Sequence, residues 1–218
     1  MFPSIDNETG INIVRKALEK RTNNSPSTLC VIEGLQICLT KNNSTFANLN
    51  LLQTNGTATG APNSCSYADL AVTPIDDAVF ESMTSSFPEL RYFGRYRDDC
   101  LVIWVGQEIK LNNFLEFLNS QSDELKFTME IGGKKLCFLN VLLSIVENKI
   151  ETSVYSKPTD SHLYLHASSC HNKSSINGIP KGVSLRLRRL CSTDDEYEKK
   201  AIEYTNYLSI RGYSDKKS

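Results

Sequence analysis

The stretch G94-R-Y-R-D-D-C-L-V-I-W104 sets two adjacent carboxylates, Asp98 and Asp99, between a polar-aromatic lead-in and an apolar, β-branched run. Alternation on either side of a short polar break predicts strand, tight turn, strand. Taken alone, an Asp-Asp pair at such a tip is a solvated turn. With the right neighbours it holds divalent cations, because Mg²⁺ prefers hard carboxylate oxygens on a rigid support. The surroundings decide between the two.

On the N-terminal side, residues 8–21 carry Ile11, Val14 and Leu18 at helical spacing. A second amphipathic helix is expected after Ser25 as N-cap and Pro26 at the first helical position. Residues 44–54 read as a short hairpin leading into the Gly-rich N55-G-T-A-T-G-A-P62. Helices from about 64 to 71 and from about 75 to 85 are expected on either side of Pro74, which cannot donate a backbone hydrogen bond. C-terminal to the carboxylate hairpin, Leu111, Phe114, Leu115 and Leu118 space a further helix. The segments K126-F-T-M-E-I131, K135-L-C-F-L-N-V-L-L-S-I-V146 and K149-I-E-T-S-V-Y-S-K157 read as three strands of a meander. Beyond Pro158 come polar loops, then helices at about 181–192 and 194–210.

Helices interleaved with antiparallel strands indicate an α+β fold. The 218 residues, 40% hydrophobic and 22% charged, suffice for a sizeable core and exclude a disordered or fibrous class. The net charge of −1 names no partner, but its distribution is uneven. Residues 1–133 hold 10 Lys and Arg against 16 Asp and Glu, whereas 134–218 hold 14 against 9. Seven cysteines without a C-x-x-C pair, several in apolar contexts, point to buried thiols in a reducing compartment rather than to a disulfide framework. Neither a membrane span nor a signal peptide is legible, so a soluble intracellular protein, nuclear or cytoplasmic, is expected, with no membrane partner.

The run Q53-T-N-G-T-A-T-G-A-P-N-S-C-S-Y-A-D-L-A-V72, followed by F93-G-R-Y-R-D-D-C-L-V-I-W104, resembles the palm of a reverse transcriptase, more narrowly that of Penelope-like retroelements. F117-L-N-S-Q-S-D-E-L-K-F-T-M-E-I-G-G-K-K-L-C-F-L-N-V141, E151-T-S-V-Y-S-K-P-T-D-S-H162 and L185-R-L-R-R-L-C-S192 extend the likeness over residues 2–213. The resemblance implies a partial palm over residues 1–156, an antiparallel sheet with packed helices, and a thumb-like, helix-turn-helix-like region over 157–218. It implies an RNA-directed DNA polymerase of a transposable element: a nucleotidyltransferase acting on an RNA template, DNA primer and dNTPs through two Mg²⁺ ions. Asp98 and Asp99 would then be catalytic metal ligands, with Tyr96, on the side of Asp98, beside the primer terminus. Gln53, Gly56 and Gly60 would contact template or nucleotide, the glycines by letting the backbone approach closely. Arg186, Arg188 and Arg189 would neutralise phosphates.

The likeness also implies departures. In the resembled enzymes a third carboxylate strand precedes the segment similar to M1-F-P-S-I-D-N-E-T-G-I11, and Asp6 is no substitute. Arg97 puts a cation beside the expected ligands, lowering their pKa while competing with Mg²⁺. Thr59 stands for a more usual Met and Asn140 for an Asp. A fragment inactive on its own is expected. A zinc site from His162, His166, Cys170 and His171 is disfavoured, since the partners of a paired knuckle are missing. The alternative is a non-catalytic nucleic-acid-binding protein that uses the basic C-terminal helices. A product without a stable fold is the blandest reading.

Overall fold

The structure, a computed structural model, describes residues 2–213; Met1 and 214–218, the ends of the two expected regions, lie outside the described residues. The chain forms two compact units, Met1–Met129 and Glu130–Ser218.

The first unit begins with a single 3₁₀ turn at Phe2–Ser4, then α1 (Asn7–Glu19), α2 (Thr28–Thr40), the hairpin β1 (Asn43–Phe46) and β2 (Leu49–Leu52), and α3 (Ser64–Ser85). The hairpin β3 (Leu90–Tyr96) and β4 (Asp99–Trp104) follows, and then α4 (Glu108–Ser120). Asp6 caps α1 by accepting from the Thr9 N–H at 2.8 Å. Ser27 caps α2 by accepting from the Cys30 N–H at 3.2 Å, two residues later than expected. The pair Ala47-Asn48, both at positive φ, closes β1 on β2 through a two-residue turn whose twist suits a hairpin.

Helix α3 corrects the expected break at Pro74. It runs unbroken through the proline because both halves are held by burial. Tyr67 and Ala68 pack with Ile5, Val14, Ile32 and Leu39. Val72, Ile75 and Val79 pack with Leu90, Phe93, Phe114 and Leu118. An interior proline costs a helix about 3 kcal/mol, and burying two or three aliphatic side chains at about 2 kcal/mol each offsets it. Gly10 admits α1 close to α3, since any Cβ there would collide with the Tyr67 ring.

The second unit holds β5 (Lys135–Phe138), β6 (Val141–Val146), β7 (Lys149–Val154), α5 (Lys173–Leu190) and α6 (Asp194–Ile210). Residues 126–131, expected as a strand, are irregular. The Asn119 side chain accepts from the Phe127 N–H at 2.7 Å and donates to the Phe127 carbonyl at 3.1 Å, so this backbone needs no strand partner. The expected long strand 135–146 instead folds on itself at Leu139-Asn140, with Leu139 at positive φ. Helix α5 starts well ahead of Pro180, because Asn172 caps it by accepting from the Ser174 N–H at 2.9 Å.

The expected polymerase palm and thumb are not what folds. The strands form three separate small sheets, β1–β2, β3–β4 and β5–β6–β7, each an open meander or hairpin paired only within itself. Successive strands within each sheet are joined by a tight turn, and among the described residues no strand pairing links one sheet to the next. The cysteines also depart from expectation: all seven are free thiols, but only Cys191 is buried, while Cys30, Cys38, Cys137 and Cys170 lie on exposed faces.

Phe114, 2% exposed, contacts the rings of Phe87, Trp104 and Phe117. Phe114→Ala is expected to lower the stability of the first unit by about 4 kcal/mol, read as a shift of its urea unfolding midpoint.

Candidate nucleic-acid interface

In the first unit the hairpin forms around the acidic doublet. Tyr96 pairs with Asp99 across a two-residue turn, Arg97-Asp98, with Arg97 at φ +57°. Asp98 therefore sits in the turn, outside the strand alternation that was to align it with Tyr96. Asp98, Asp99 and Tyr96 are all exposed. The Arg97 guanidinium lies 5.7 Å from the Tyr96 ring centroid, and a hydrogen bond with the Cys65 sulfur raises its pKa further. Beneath the tip, Arg95 donates to both Asp76 carboxylate oxygens at 2.7–3.0 Å and to the Arg97 carbonyl at 3.2 Å, pinning the turn to α3. Burial pushes the neighbouring Cys100 thiol up to about 11, so it is no nucleophile at neutral pH.

Gln53, Gly56 and Gly60 lie just after β2 and in the loop that leads to α3. The Gln53 amide accepts from Asn42 Nδ2 and donates to the Asn55 carbonyl, each at 2.8 Å, closing the base of the first hairpin. Gly56 is buried at φ +66° against the Phe2–Pro3 backbone, where a side chain would clash. The Thr57 N–H donates to the Phe2 carbonyl at 3.0 Å, so the close backbone approach this glycine permits is made to the N-terminal segment. Gly60, at φ +97°, faces open space.

In the second unit, α5 and α6 are joined by three residues, Cys191, Ser192 and Thr193. Thr193 caps α6 by accepting from the Glu196 N–H at 3.3 Å, and Thr-Asp-Asp-Glu has the spacing of a capping box. Leu187 and Cys191 of this pair bury against Val154 and Tyr204. The Thr152 hydroxyl donates to the Leu190 carbonyl at 2.8 Å, the Thr152 N–H donates to the Ser192 hydroxyl at 2.9 Å, and the Ser192 N–H donates to the Thr152 carbonyl at 2.9 Å. The turn is thereby tied to β7. Preceding loop residues are strapped to the end of α6: Arg211 donates to the Tyr164 carbonyl at 2.6 Å and the Tyr213 hydroxyl to the Leu165 carbonyl at 2.9 Å. His162 stacks on Tyr207 at 4.0 Å between centroids, while His166 and His171 hydrogen-bond to Ser168 and Ser169.

Arg186, Arg188 and Arg189 project from the last turns of α5, all exposed. Arg188 pairs with Asp194 and lies 5.3 Å from the Tyr197 ring centroid. Arg186 and Arg189 make no ion pair among the described residues. Lys181, on the same helix and also exposed, was not singled out by the sequence reading. The signal for it was available, since residues 173–190 contain five cations and no carboxylate.

The comparison with protein families falls on this helix pair. Residues 163–217 match the animal helix-turn-helix domain. The match takes in both α5 and α6, the three-residue turn and the strapped loop, and covers less than half of the chain. No curated protein and no solved structure matches the chain.

This helix-turn-helix domain overturns the reverse-transcriptase resemblance and its thumb. Among the described residues, moreover, no group of three or more His, Cys, Asp or Glu side chains is placed to hold a metal ion. The expected RNA-directed DNA polymerase, a nucleotidyltransferase of a Penelope-like element, is corrected on both counts. Nucleic acid remains as the general class of partner, because a helix-turn-helix docks on it. Among the described residues no helix is long and apolar enough to cross a membrane.

Acid should loosen the second unit through Glu203. The Lys200 ammonium at 2.7 Å, helped by the Tyr207 hydroxyl at 2.9 Å, holds this carboxyl below its usual 4.5. The stabilisation is complete above that value and is lost as pH falls through the folded-state pKa. Melting temperature is expected to drop between pH 5 and pH 3, and Glu203→Gln to flatten that part of the profile.

Proposed function

We propose that the protein is a non-catalytic nucleic-acid-binding protein whose helix-turn-helix domain holds a duplex, DNA in the first instance, through its phosphate backbone. The observation that carries this reading is the pair of exposed guanidiniums, Arg186 and Arg189, at the end of α5 inside the matched domain, without intramolecular ion pairs among the described residues. Each cation brought to a phosphate releases condensed counterions, which drives binding without reading sequence. Arg188, already held by Asp194, must exchange that partner for a phosphate and contributes less. Readout of base edges plays no part in this reading. An intracellular location, nuclear or cytoplasmic, goes with such a partner.

The test is a salt titration of duplex DNA binding by fluorescence anisotropy. Arg186→Ala and Arg189→Ala are each expected to weaken binding on unrelated sequences alike and to flatten the slope of log K against log salt by about 0.9. Asp98→Ala is expected to leave the titration unchanged. An unsubstituted chain that ignores duplex at low salt, or two arginine variants that bind as it does, would sink the proposal.

A further inference from the structure

The two helices of the domain carry opposite charge. Helix α5 has Lys173, Lys181, Arg186, Arg188 and Arg189 and no acidic residue. Helix α6 opens with Asp194, Asp195 and Glu196 and continues with Glu198 and Glu203. Its two lysines are already committed, Lys199 to Glu196 at 3.0 Å and Lys200 to Glu203 at 2.7 Å. A helix N-terminus ordinarily attracts phosphate, through the partial positive charge of its unpaired N–H groups. Three carboxylates in the first turn of α6 cancel that attraction and repel a polyanion.

In the usual docking of a helix-turn-helix the second helix lies in the major groove and the first crosses the backbone. From this charge segregation we infer that the order is reversed here: α5, the first helix, is laid against the nucleic acid, and α6 faces away from it. The inference rests on the nucleic-acid-binding reading above and adds which surface makes the contact. The shape of α5 agrees with it. Ile176, Val183 and Leu187 turn inward, so the opposite face is made of Ser174, Gly178, Lys181, Gly182, Leu185 and Arg189, all exposed. Nothing lies within 4 Å of where a Cβ would stand on Gly178 or Gly182. Along Ser174, Gly178 and Gly182 this face is low, which lets the helix backbone approach a phosphate ridge while Lys181 and Arg189 beside them reach around it. The Arg188–Asp194 pair stands at the border between the two fields and absorbs the acidic charge nearest to α5.

The experiment measures binding of the full chain to a labelled duplex DNA at low salt, with melting temperature followed in parallel. Lys181→Glu is expected to weaken binding at least about tenfold. Gly182→Gln, which places a good helix former on the low face, is expected to weaken it about as much without lowering the melting temperature. The double change Lys199→Ala with Lys200→Ala should stay within about twofold of the unsubstituted chain. Loss of binding through the α6 lysines, or a Gly182→Gln variant that binds unimpaired, overturns the inference while leaving the nucleic-acid reading intact. An unsubstituted chain that does not bind duplex overturns both.

Discussion

Thr152 holds the second unit together at the point where it matters. Its hydroxyl and both backbone groups are spent on Leu190 and Ser192, the last helical residue of α5 and the middle of the turn. Those groups are the ones a helix end and a tight connection leave without partners. Because they are satisfied by β7, the turn takes one conformation, and the helices leave it in fixed directions. The apolar seam of Leu187, Cys191, Val154 and Tyr204 closes directly beneath. The basic residues at the end of α5 are therefore presented from a rigid mount rather than from a fraying terminus. A mobile arginine loses side-chain entropy on meeting a phosphate, about 2 kcal/mol at most, and a fixed backbone keeps that the only ordering cost.

Charge follows the same architecture. The cations of α6 are consumed by neighbouring carboxylates one turn away, so they present little net field, while α5 lacks any carboxylate that could do the same. The contrast is written into composition but acquires meaning only from packing. Whether a run such as L185-R-L-R-R-L190 is a solvated face or a contact surface depends on which neighbours carry the compensating charge. Here one of its three arginines is compensated, and among the described residues the other two are not.

Much of the local structure was legible. Apolar spacing located α1 and α4, and alternation around polar breaks located the hairpins at residues 43–52 and 90–104. Failures came where a side chain replaced a backbone partner or where burial outweighed propensity. Asn119 satisfied Phe127 and dissolved an apparent strand; two clusters held α3 straight through Pro74. Helix α5 began before Pro180 because Asn172 capped it, a signal hidden among polar residues that looked like a loop. The sheet architecture was not legible at all, since pairing within hairpins and pairing between them leave the same alternating pattern in the sequence.

The glycine turn and the carboxylate hairpin show how the fold uses short motifs. Gly56 has a reason to be glycine, and close backbone approach is that reason, but what approaches is the Phe2–Pro3 backbone. Gln53 has a reason to be polar, and both ends of its amide are used within the hairpin and the turn after it. Arg97, which beside a pair of metal ligands would be an intruder, contacts the Tyr96 ring and the Cys65 sulfur, while Arg95 beneath it ties the turn to Asp76. In each case chemistry prescribes the kind of contact, and within the chain a neighbouring segment supplies it. Among the C-terminal arginines, Arg186 and Arg189 are exposed and without an ion-pair partner among the described residues. Charge left over after a fold has satisfied itself is the charge available to a partner.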